Sequence, residues 1–382
     1  MSAILTVNAG SSSIKFAVYE AGQEPSLLGD GQVENLGDNA VLSMGGASKS
    51  EKPIGKAGHK LAVQAILTAI KDVLGDRQVA GVGHRIVHGG QEFGQPVELT
   101  SGRMAQLNAL VPLAPLHQPH NLAAVRAAQH AFPQAVQVGC FDTAFHKGHP
   151  FVNDAFALPR KYYDEGVRRY GFHGLSYEYI TGVIRRDYPA LAGGRIVIAH
   201  LGNGASMCAV SNGQSIGSTM GFSALDGLPM GTRCGQLDPG VILYLLDQGM
   251  TGPELTRMLY RESGLRGLSG LSHDMRTLLA SADPHAQQAL DYYVFRIRRE
   301  LGAMAAVLGG LDAVVFCGGV GENAPQIRSR VMEDLGFLGL RVDPEPNQTN
   351  AARIGAGATE ILVIQTDEEQ VIARAVARAL AA

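Results

Sequence analysis

The chain has 382 residues, 46% of them apolar, so two domains with a core each are the natural expectation. A formal charge of −3 with no basic run argues against a nucleic-acid surface; no apolar stretch nears the ~18 residues of a membrane span, and Met1 to Ile4 lacks a basic leader. The four cysteines (Cys140, Cys208, Cys234, Cys317) are far apart and form no C-x-x-C pair, which suits a reducing cytoplasm.

Residues 3–19 (AILTVNAGSSSIKFAVY) read as strand, small-residue turn, strand, with Asn8, Gly10 and Ser11 to Ser13 in the turn and Lys15 opening the second strand. Polar, Gly-rich residues 25–60 predict meandering strands and loops, and Lys60 to Leu74 has helical apolar spacing. Val79 to Val87 is a strand running into HRIVHGG at 84–90. An Arg inside it needs an anionic partner, because an unpaired buried guanidinium costs several kcal/mol. A structural ion pair or a substrate carboxylate would each satisfy Arg85, and the substrate is the favoured reading. Leu113 to His120 is broken by proline and cannot be a helix interior; a helix from Asn121 to His130 follows. The pairs His117/His120 and His146/His149 suggest metal ligands, but neither has a third ligand at a convincing spacing. Gln134 to Cys140 is a strand delivering Asp142 at its C-terminal end, where α/β sheets place ligands; a helix or turn cap is the plainer role.

In RRYGFHG (168–174), His173 is flanked by glycines, which sets it apart from a packed core residue. Arg195 to Ala199 is a buried strand emptying into His200-Leu201-Gly202-Asn203-Gly204, with a second strand from Ala205 to Val210. Glycines there allow positive φ and expose N–H groups, a concave seat for phosphate. The pattern matches residues 3–19, a weak internal repeat that could grip a triphosphate from two sides. Arg233 lies among Gly231, Thr232 and Gly235, a fork-shaped cation on an uncrowded backbone. Helices are predicted over 238–248, 253–261 and 284–308, and His273-Asp274-Met275-Arg276 opens another. Leu311 to Cys317 is a strand, followed by Gly318-Gly319-Val320-Gly321-Glu322-Asn323-Ala324, a helix to Leu335 and a strand at 339–342. Gly-x-Gly-x-x-Ala with Asp343 beyond it has the form of a dinucleotide fingerprint, yet too little chain follows for such a domain; a Gly turn lying against a nucleoside is the better reading. Glu360 to Thr366 is a strand, Asp367-Glu368-Glu369 follows, and Gln370 to Leu380 is a helix whose dipole suits those acids.

Taken together these stretches resemble the acetokinase family from end to end. The motifs NAGSSS-x-K (8–15), HRIVHGG, PLHQPHN (115–121), FDTAFH (141–146), RRYGFHG, HLGNG, MGTRCG, GGVGEN and TDEE stand in the family's order. The resemblance implies an α/β, two-lobed actin-like ATPase (ASKHA) fold, a duplicated ribonuclease H-like unit with an interlobe active-site cleft. The lobes would be 1–147, joined by the C-terminal helix 370–382, and 148–369. It also implies a cytoplasmic homodimer and reversible, direct in-line transfer of the γ-phosphate of ATP to acetate, giving acetyl phosphate and ADP, with Mg²⁺ (Mn²⁺ as an alternative) as cofactor. Carried over by position, Arg85 and Arg233 would bind the carboxylate and the transferring phosphate, His173 would donate to the phosphoryl oxygens, and Asp142 would complete the catalytic set. A carboxylic acid of pKa near ~4 is already ionised at pH 7, so the nucleophile needs no base, and orienting Arg85 or a Mg²⁺-bound water is the cheaper role for Asp142. Asn8 and Glu368 would hold the metal. Lys15, His200, Leu201, Gly202, Asn203, Gly204, Asp274, Met275, Arg276, Gly319, Val320, Gly321, Glu322 and Asn323 would line the ATP site, and Val87, Leu116, His117, Phe172 and Ala224 would contact the carboxylate substrate.

Four positions depart from the family pattern. Ser223-Ala224 stands where Thr-Pro is usual, Tyr177 replaces a common His, and Gly148 replaces a Thr. Losing the proline ring removes about two methylenes from the acyl pocket, each worth up to ~0.8 kcal/mol to a group filling the gap, which leaves propionate or another short carboxylate as an alternative substrate. An actin-like nucleotide-dependent binding module is the alternative from another class. The pairing of two arginines with His173 argues against it, since a mere ATP clamp needs no such chemistry.

Overall fold

The computed structural model describes residues 2–10, 13–45 and 50–382; Ser11 and Ser12 of the first turn lie outside them. The chain divides into two compact units, Met1–Phe145 with Asp367–Ala382, and His146–Thr366.

Among the described residues the first unit is built on eight strands: β1 (Ser2–Ala9), β2 (Ile14–Glu20), β3 (Ser26–Glu34), β4 (Gly37–Met44), β5 (Ser50–Ala57), β6 (Gln78–Ile86), β7 (Val97–Glu98) and β8 (Val136–Phe141). Their order is β5-β4-β3-β2-β1-β6-β8-β7. β1 to β5 are antiparallel neighbours, whereas β6 runs parallel to both β1 and β8. Ala3, Leu5, Val7 and Ala9 of β1 share one core with helices His59–Leu74 and Gln118–Ala131. Helix Glu368–Ala381 packs against β1, β6 and β8. It comes close because Gly81 and Gly83 have no side chain: a Cβ on either would run into Val376 or Ile372. Covered from both sides, β1 is buried from Ala3 to Ala9 and β6 from Gly81 to His84 rather than alternating.

The second unit has five strands, β9 (Arg195–Leu201), β10 (Ala205–Ser211), β11 (Gln214–Ser218), β12 (Ala313–Cys317) and β13 (Glu360–Val363), in the order β11-β10-β9-β12-β13. β9, β10 and β11 are antiparallel in turn; β12 is parallel to β9 and β13 to β12. The five strands β3-β2-β1-β6-β8 of the first unit have the same order and senses. The repeat faint in the sequence is therefore a duplication of topology. Helix Pro284–Leu308 lies against β9 and β10, and helix Gly174–Asp187 against β9.

Three expectations fail locally. Gly318–Asn323 is a short helix rather than a Gly turn. Gly318, at φ 74°, ends β12 in the left-handed region, and the Glu322 carboxylate reaches back to its N–H at 2.8 Å, closing one helical turn. No strand forms at 339–342; only the bridge Val342↔Gly355 does. Gly339, at φ 76°, turns the chain on entry, and Asp343 then caps helix Pro344–Gln348. Helix Gly252–Arg257 is shorter than read and continues as a π-helical turn, Met258–Glu262.

Candidate active site

In the first unit the site residues gather at the C-terminal ends of β1, β6 and β8. Arg85 lies one residue before the end of β6 and pairs in register with Cys140, so Asp142 emerges beside it. The guanidinium grips that carboxylate in a fork, Nε to Oδ1 at 2.9 Å and Nη2 to Oδ2 at 2.6 Å, the geometry of an ionised pair. Nη1 donates to Asn8 Oδ1 at 3.0 Å, and Glu368 Oε2 is 3.8 Å from Nε. Burial disfavours the charge on Arg85, but Asp142 and Glu368 more than offset it and hold the guanidinium above its ordinary value. Burial pushes the Asp142 carboxyl up, with Arg85 pulling against it. The half-buried Arg85 is thus paired inside the unit with Asp142, a pairing compatible with either role. Its side chain is 18% exposed against 2% for Asp142, so the cation keeps an open side and the carboxylate does not.

Asn8 links this pair to the acids of the last helix. Its Nδ2 donates to Glu368 Oε2 at 3.1 Å and to Glu369 Oε1 at 3.4 Å. Burial, then the adjacent Glu368, raises the Glu369 carboxyl. Asp367 caps that helix by accepting from Gln370 N, which turns both glutamates toward Asn8, and Lys15 stands opposite Asn8 in the β1–β2 register. Among the described residues no three His, Cys, Asp or Glu side chains close around one point. Such sparse oxygen donors fit Mg²⁺, which is commonly held by one or two carboxylates with waters and phosphate oxygens. The proposed acyl-pocket residue Val87 is buried and donates its N–H to Asn121 Oδ1 at 2.9 Å. Leu116 is half-buried, and His117 sits at the N-terminus of helix Gln118–Ala131. Sequence reading missed two buried amides here. Gln118 bonds both N–H and C=O of His88, and Asn121 ties Val87 N to Ala9 O, so the segments after β1 and β6 are held together.

In the second unit the HLGNG turn joins β9 to β10. Neither Gly202 nor Gly204 has positive φ, contrary to the expectation; these glycines supply room instead. A Cβ on Gly204 would lie 2.7 Å from Arg233 Nη2 and 3.3 Å from His173 Nε2, so the two nitrogens converge over its Cα. A Cβ on Gly202 would approach His200 Nε2 and the N–H of Gly319. Arg233 is steered by Nη1 donating to the Ala224 carbonyl at 2.7 Å, which joins two of the proposed substrate contacts. Its loop is stapled to the turn by Gly231 N to Asn203 O at 3.0 Å. His173 occupies the left-handed region at φ 58° and caps helix Gly174–Asp187. Its ring stacks on His200, centroids 4.3 Å apart.

The strain at His173 is braced from behind. His146 packs on Gly171, where a Cβ would meet its ring, and its Nε2 is 2.9 Å from the Phe172 carbonyl. A carbonyl only accepts, so Nε2 carries the proton. Burial, with His149 nearby, pushes the imidazole down to about 3, so the ring is neutral and Nδ1 bare. The Ser215 hydroxyl then donates to His146 Nδ1 (2.8 Å) and accepts from His149 Nε2 (2.7 Å). The pair that suggested metal ligands is a buried brace for residues 171–173.

The remaining nucleotide candidates are less exposed to ligand than expected. Glu322 Oε1 accepts from Gly318 N and Thr366 N, Asn323 Nδ2 donates to Gly319 O, and Gly321 and Met275 are buried while Val320 is half-buried. The Asp274 carboxylate caps its own helix at Arg276 N and Thr277 N and pairs with the exposed Arg276 side chain; that hydrogen bond first, then Thr277 N–H, holds it down at about 2. A further cation escaped sequence reading. Arg328 is fully buried with five neutral acceptors: Gly321 O, Glu322 O, Asn347 Oδ1 and O, and Asn350 Oδ1. It clamps the end of helix Gly318–Asn323.

One chain that carries the same five-stranded α/β unit twice, with nitrogen donors converging over a Gly-lined hairpin, has the duplicated ribonuclease H-like fold of the actin-like ATPases. The chain belongs to the acetokinase family, whose sequence profile matches residues 3–374. It is 52% identical over 388 residues to a protein named acetate kinase from Methylocella silvestris, covering 97% of this chain and 96% of that one. To acetate kinase of Rhodopseudomonas palustris (strain TIE-1) it is 51% identical, with 98% of each covered. Solved structures of a Francisella tularensis propionate kinase (34% identity, TM-score 0.92, 98% of this chain and 99% of that one) and of Porphyromonas gingivalis acetate kinase (36%, 0.88, 100% of each) share its fold.

Proposed function

We propose that the protein is an acetate kinase, transferring the γ-phosphoryl group of ATP to acetate to give acetyl phosphate and ADP, and the reverse. The observation that carries this reading is the convergence of Arg233 Nη2 and His173 Nε2 over Gly204, on the turn that leaves β9. Near-full-length identity of about half to acetate kinases supports acetate as the acceptor. An acetate oxygen attacks Pγ; the O–Pγ bond forms as the bond from Pγ to the β-bridging oxygen breaks, and ADP leaves with that electron pair. Acetate is ionised at neutral pH, so the chief barrier is the approach of an anion to a polyanion. Arg233 and His173 would hold the equatorial oxygens, and Arg85, aimed by Asp142, the carboxylate, stabilising charge where it develops. Asn8 and Glu368, with Glu369 beside them, would hold Mg²⁺ directly or through water; the bound ion supplies further charge neutralisation. His200 to Gly204 and Gly319 to Asn323 would cradle the nucleotide, with Lys15 and Asp274 to Arg276 at its edges.

The proposed lobes are the two compact units, Met1–Phe145 with Asp367–Ala382 and His146–Thr366, whose divisions fall within a few residues of the 147/148 and 369/370 boundaries read from the sequence. No helix among the described residues is long and apolar enough to cross a membrane, and a cytoplasmic homodimer is part of the proposal. Leu243, Tyr244 and Leu246, exposed on helix Pro239–Asp247, are the surface such a dimer would bury; light scattering giving one subunit mass would remove it. Ala224 motivates the alternative acceptor, propionate. A hydroxylamine trap for acyl phosphate, run with ATP, Mg²⁺ and acetate, propionate or butyrate, tests the whole reading. Product with acetate, lost in Arg233→Ala, is expected; a maximum at propionate moves the assignment to that acid, and no product with any acid refutes it.

A further inference from the structure

The two ring nitrogens of His173 face different surroundings. Nε2 lies over Gly204 beside Arg233, while Nδ1 points into the core, 2.8 Å from Ser206 Oγ. Ser206 is fully buried on β10, opposite His200 in the β9–β10 register. Behind it stands the hydroxyl of Tyr177, in hydrogen-bond contact with the same Oγ. Tyr177 lies one turn into the helix that His173 caps, so both ends of this chain of groups hang on one element.

Ser206 has one proton and cannot donate both ways. The Tyr177 ring is fully buried, and burial raises its hydroxyl well above the ordinary phenol value, so it stays protonated. A phenol is a more acidic, stronger donor than an aliphatic hydroxyl, and Ser206 Oγ is in direct hydrogen-bond contact with it. With the phenol donating to Ser206, the serine donates onward to His173 Nδ1. The imidazole proton then resides on Nε2, the nitrogen facing Arg233. We propose that Tyr177 is a positioning residue: acting through Ser206, it fixes His173 as the Nε2–H tautomer, a neutral donor toward the phosphoryl oxygens. The inference rests on the role given to His173 above. A neutral ring also avoids setting a second full charge against the Arg233 guanidinium. A histidine at position 177, as the resembling family commonly has, either donates or accepts at a given ring nitrogen; a protonated phenol gives the relay one direction.

The test is ¹⁵N-histidine NMR of the full chain at neutral pH, with His173 assigned by its loss in His173→Asn, alongside steady-state kinetics. The wild type is expected to show His173 with Nδ1 bare and Nε2 protonated. Tyr177→Phe keeps the ring and removes the hydroxyl. It should shift the His173 nitrogens toward tautomer averaging and lower kcat roughly two- to tenfold, the worth of one net hydrogen bond, with KM for acetate and ATP unchanged. Ser206→Ala should do the same and Ser206→Thr, which keeps a hydroxyl, should restore the wild-type pattern. If Tyr177→Phe does not fold, Ser206→Ala carries the same test. A wild-type His173 protonated at Nδ1, or nitrogen shifts unmoved in a folded Tyr177→Phe and Ser206→Ala, overturns the relay. Full turnover in His173→Asn overturns instead the catalytic reading of His173, and the nitrogen shifts still decide the relay.

Discussion

Gly204→Ala separates catalysis from stability. The added Cβ would sit 2.7 Å from Arg233 Nη2 and 3.3 Å from His173 Nε2. To regain an ordinary separation of about 3.5 Å, the guanidinium must retreat by roughly 0.8 Å, stretching its 2.7 Å bond to the Ala224 carbonyl. His173 is stacked on His200 and bonded at Nδ1, so Arg233 takes most of the movement. A misplacement near 1 Å costs up to about a hundredfold in rate, and a kcat lowered roughly 10- to 100-fold is expected. The backbone at Gly204 lies outside the left-handed region, where a Gly→Ala exchange tends to stabilise by about 0.4–1 kcal/mol through the unfolded chain. The melting temperature should therefore hold or rise while turnover collapses. Acyl hydroxamate formation, thermal unfolding and the double-mutant cycle with Arg233→Ala measure all three quantities. In the Arg233→Ala background Gly204→Ala should add little. A Gly204→Ala protein with wild-type kcat, or an equal loss in both backgrounds, would refute the assignment of Arg233 and Gly204 to one site.

Four buried histidines make the protein acid-sensitive. Burial lowers His84, His88 and His149 to about 4 and His146 to about 3 from an ordinary 6.5. Only the unfolded chain gains these protons between pH 6.5 and about 4, so stability is full above 6.5 and falls as pH drops, each histidine contributing up to ~1.4 kcal/mol per pH unit. Denaturation midpoints followed against pH should fall steeply over that window, with a shallower slope in His146→Gln; a flat profile to pH 4.5 contradicts it. Arg328→Lys leaves at least two of five acceptors unmet, about 2–6 kcal/mol at 1–3 kcal/mol each, and should weaken nucleotide binding by loosening helix Gly318–Asn323; calorimetry showing unchanged ADP affinity rejects that link. Ala224→Pro restores about two methylenes of pocket wall and should lower the propionate-to-acetate ratio of kcat/KM by up to about 15-fold; an unchanged ratio removes Ala224 from the acyl pocket.

The sequence made the strands and the Gly turns legible because their signals are local. β1, β6, β8 and β9 are dense apolar runs, and Asp142 and His200 follow from where those runs stop. Asp343 and Gly339 show the limit. A short apolar stretch at 339–342 looked like a strand, but a strand needs a neighbour to pair with, and the chain offers one bridge. The glycines of HLGNG were placed correctly and explained wrongly. The reason for Gly204, the nitrogens of Arg233 and His173 overhead, comes from residues about thirty positions away on either side. Gln118, Asn121, Ser206 and Arg328 left no local signal at all, since a buried polar side chain is identified by what surrounds it. His146 and His149 carried a signal that pointed elsewhere: their spacing hinted at metal, and burial against Ser215 makes them a proton-defined brace.

The helix Glu368–Ala381 lies on a sheet whose strands were finished more than two hundred residues earlier in the chain. During synthesis, β1, β6 and β8 emerge with one face bare and wait for that cover while the whole of His146–Thr366 is made. The second unit is a single contiguous segment, so its chain order does not oblige it to wait for residues made later. The acids at the start of the last helix reach Asn8 only when it docks. Completion of the first unit and assembly of the corner proposed to hold the metal are then a single event, and a nascent chain lacking this helix holds neither.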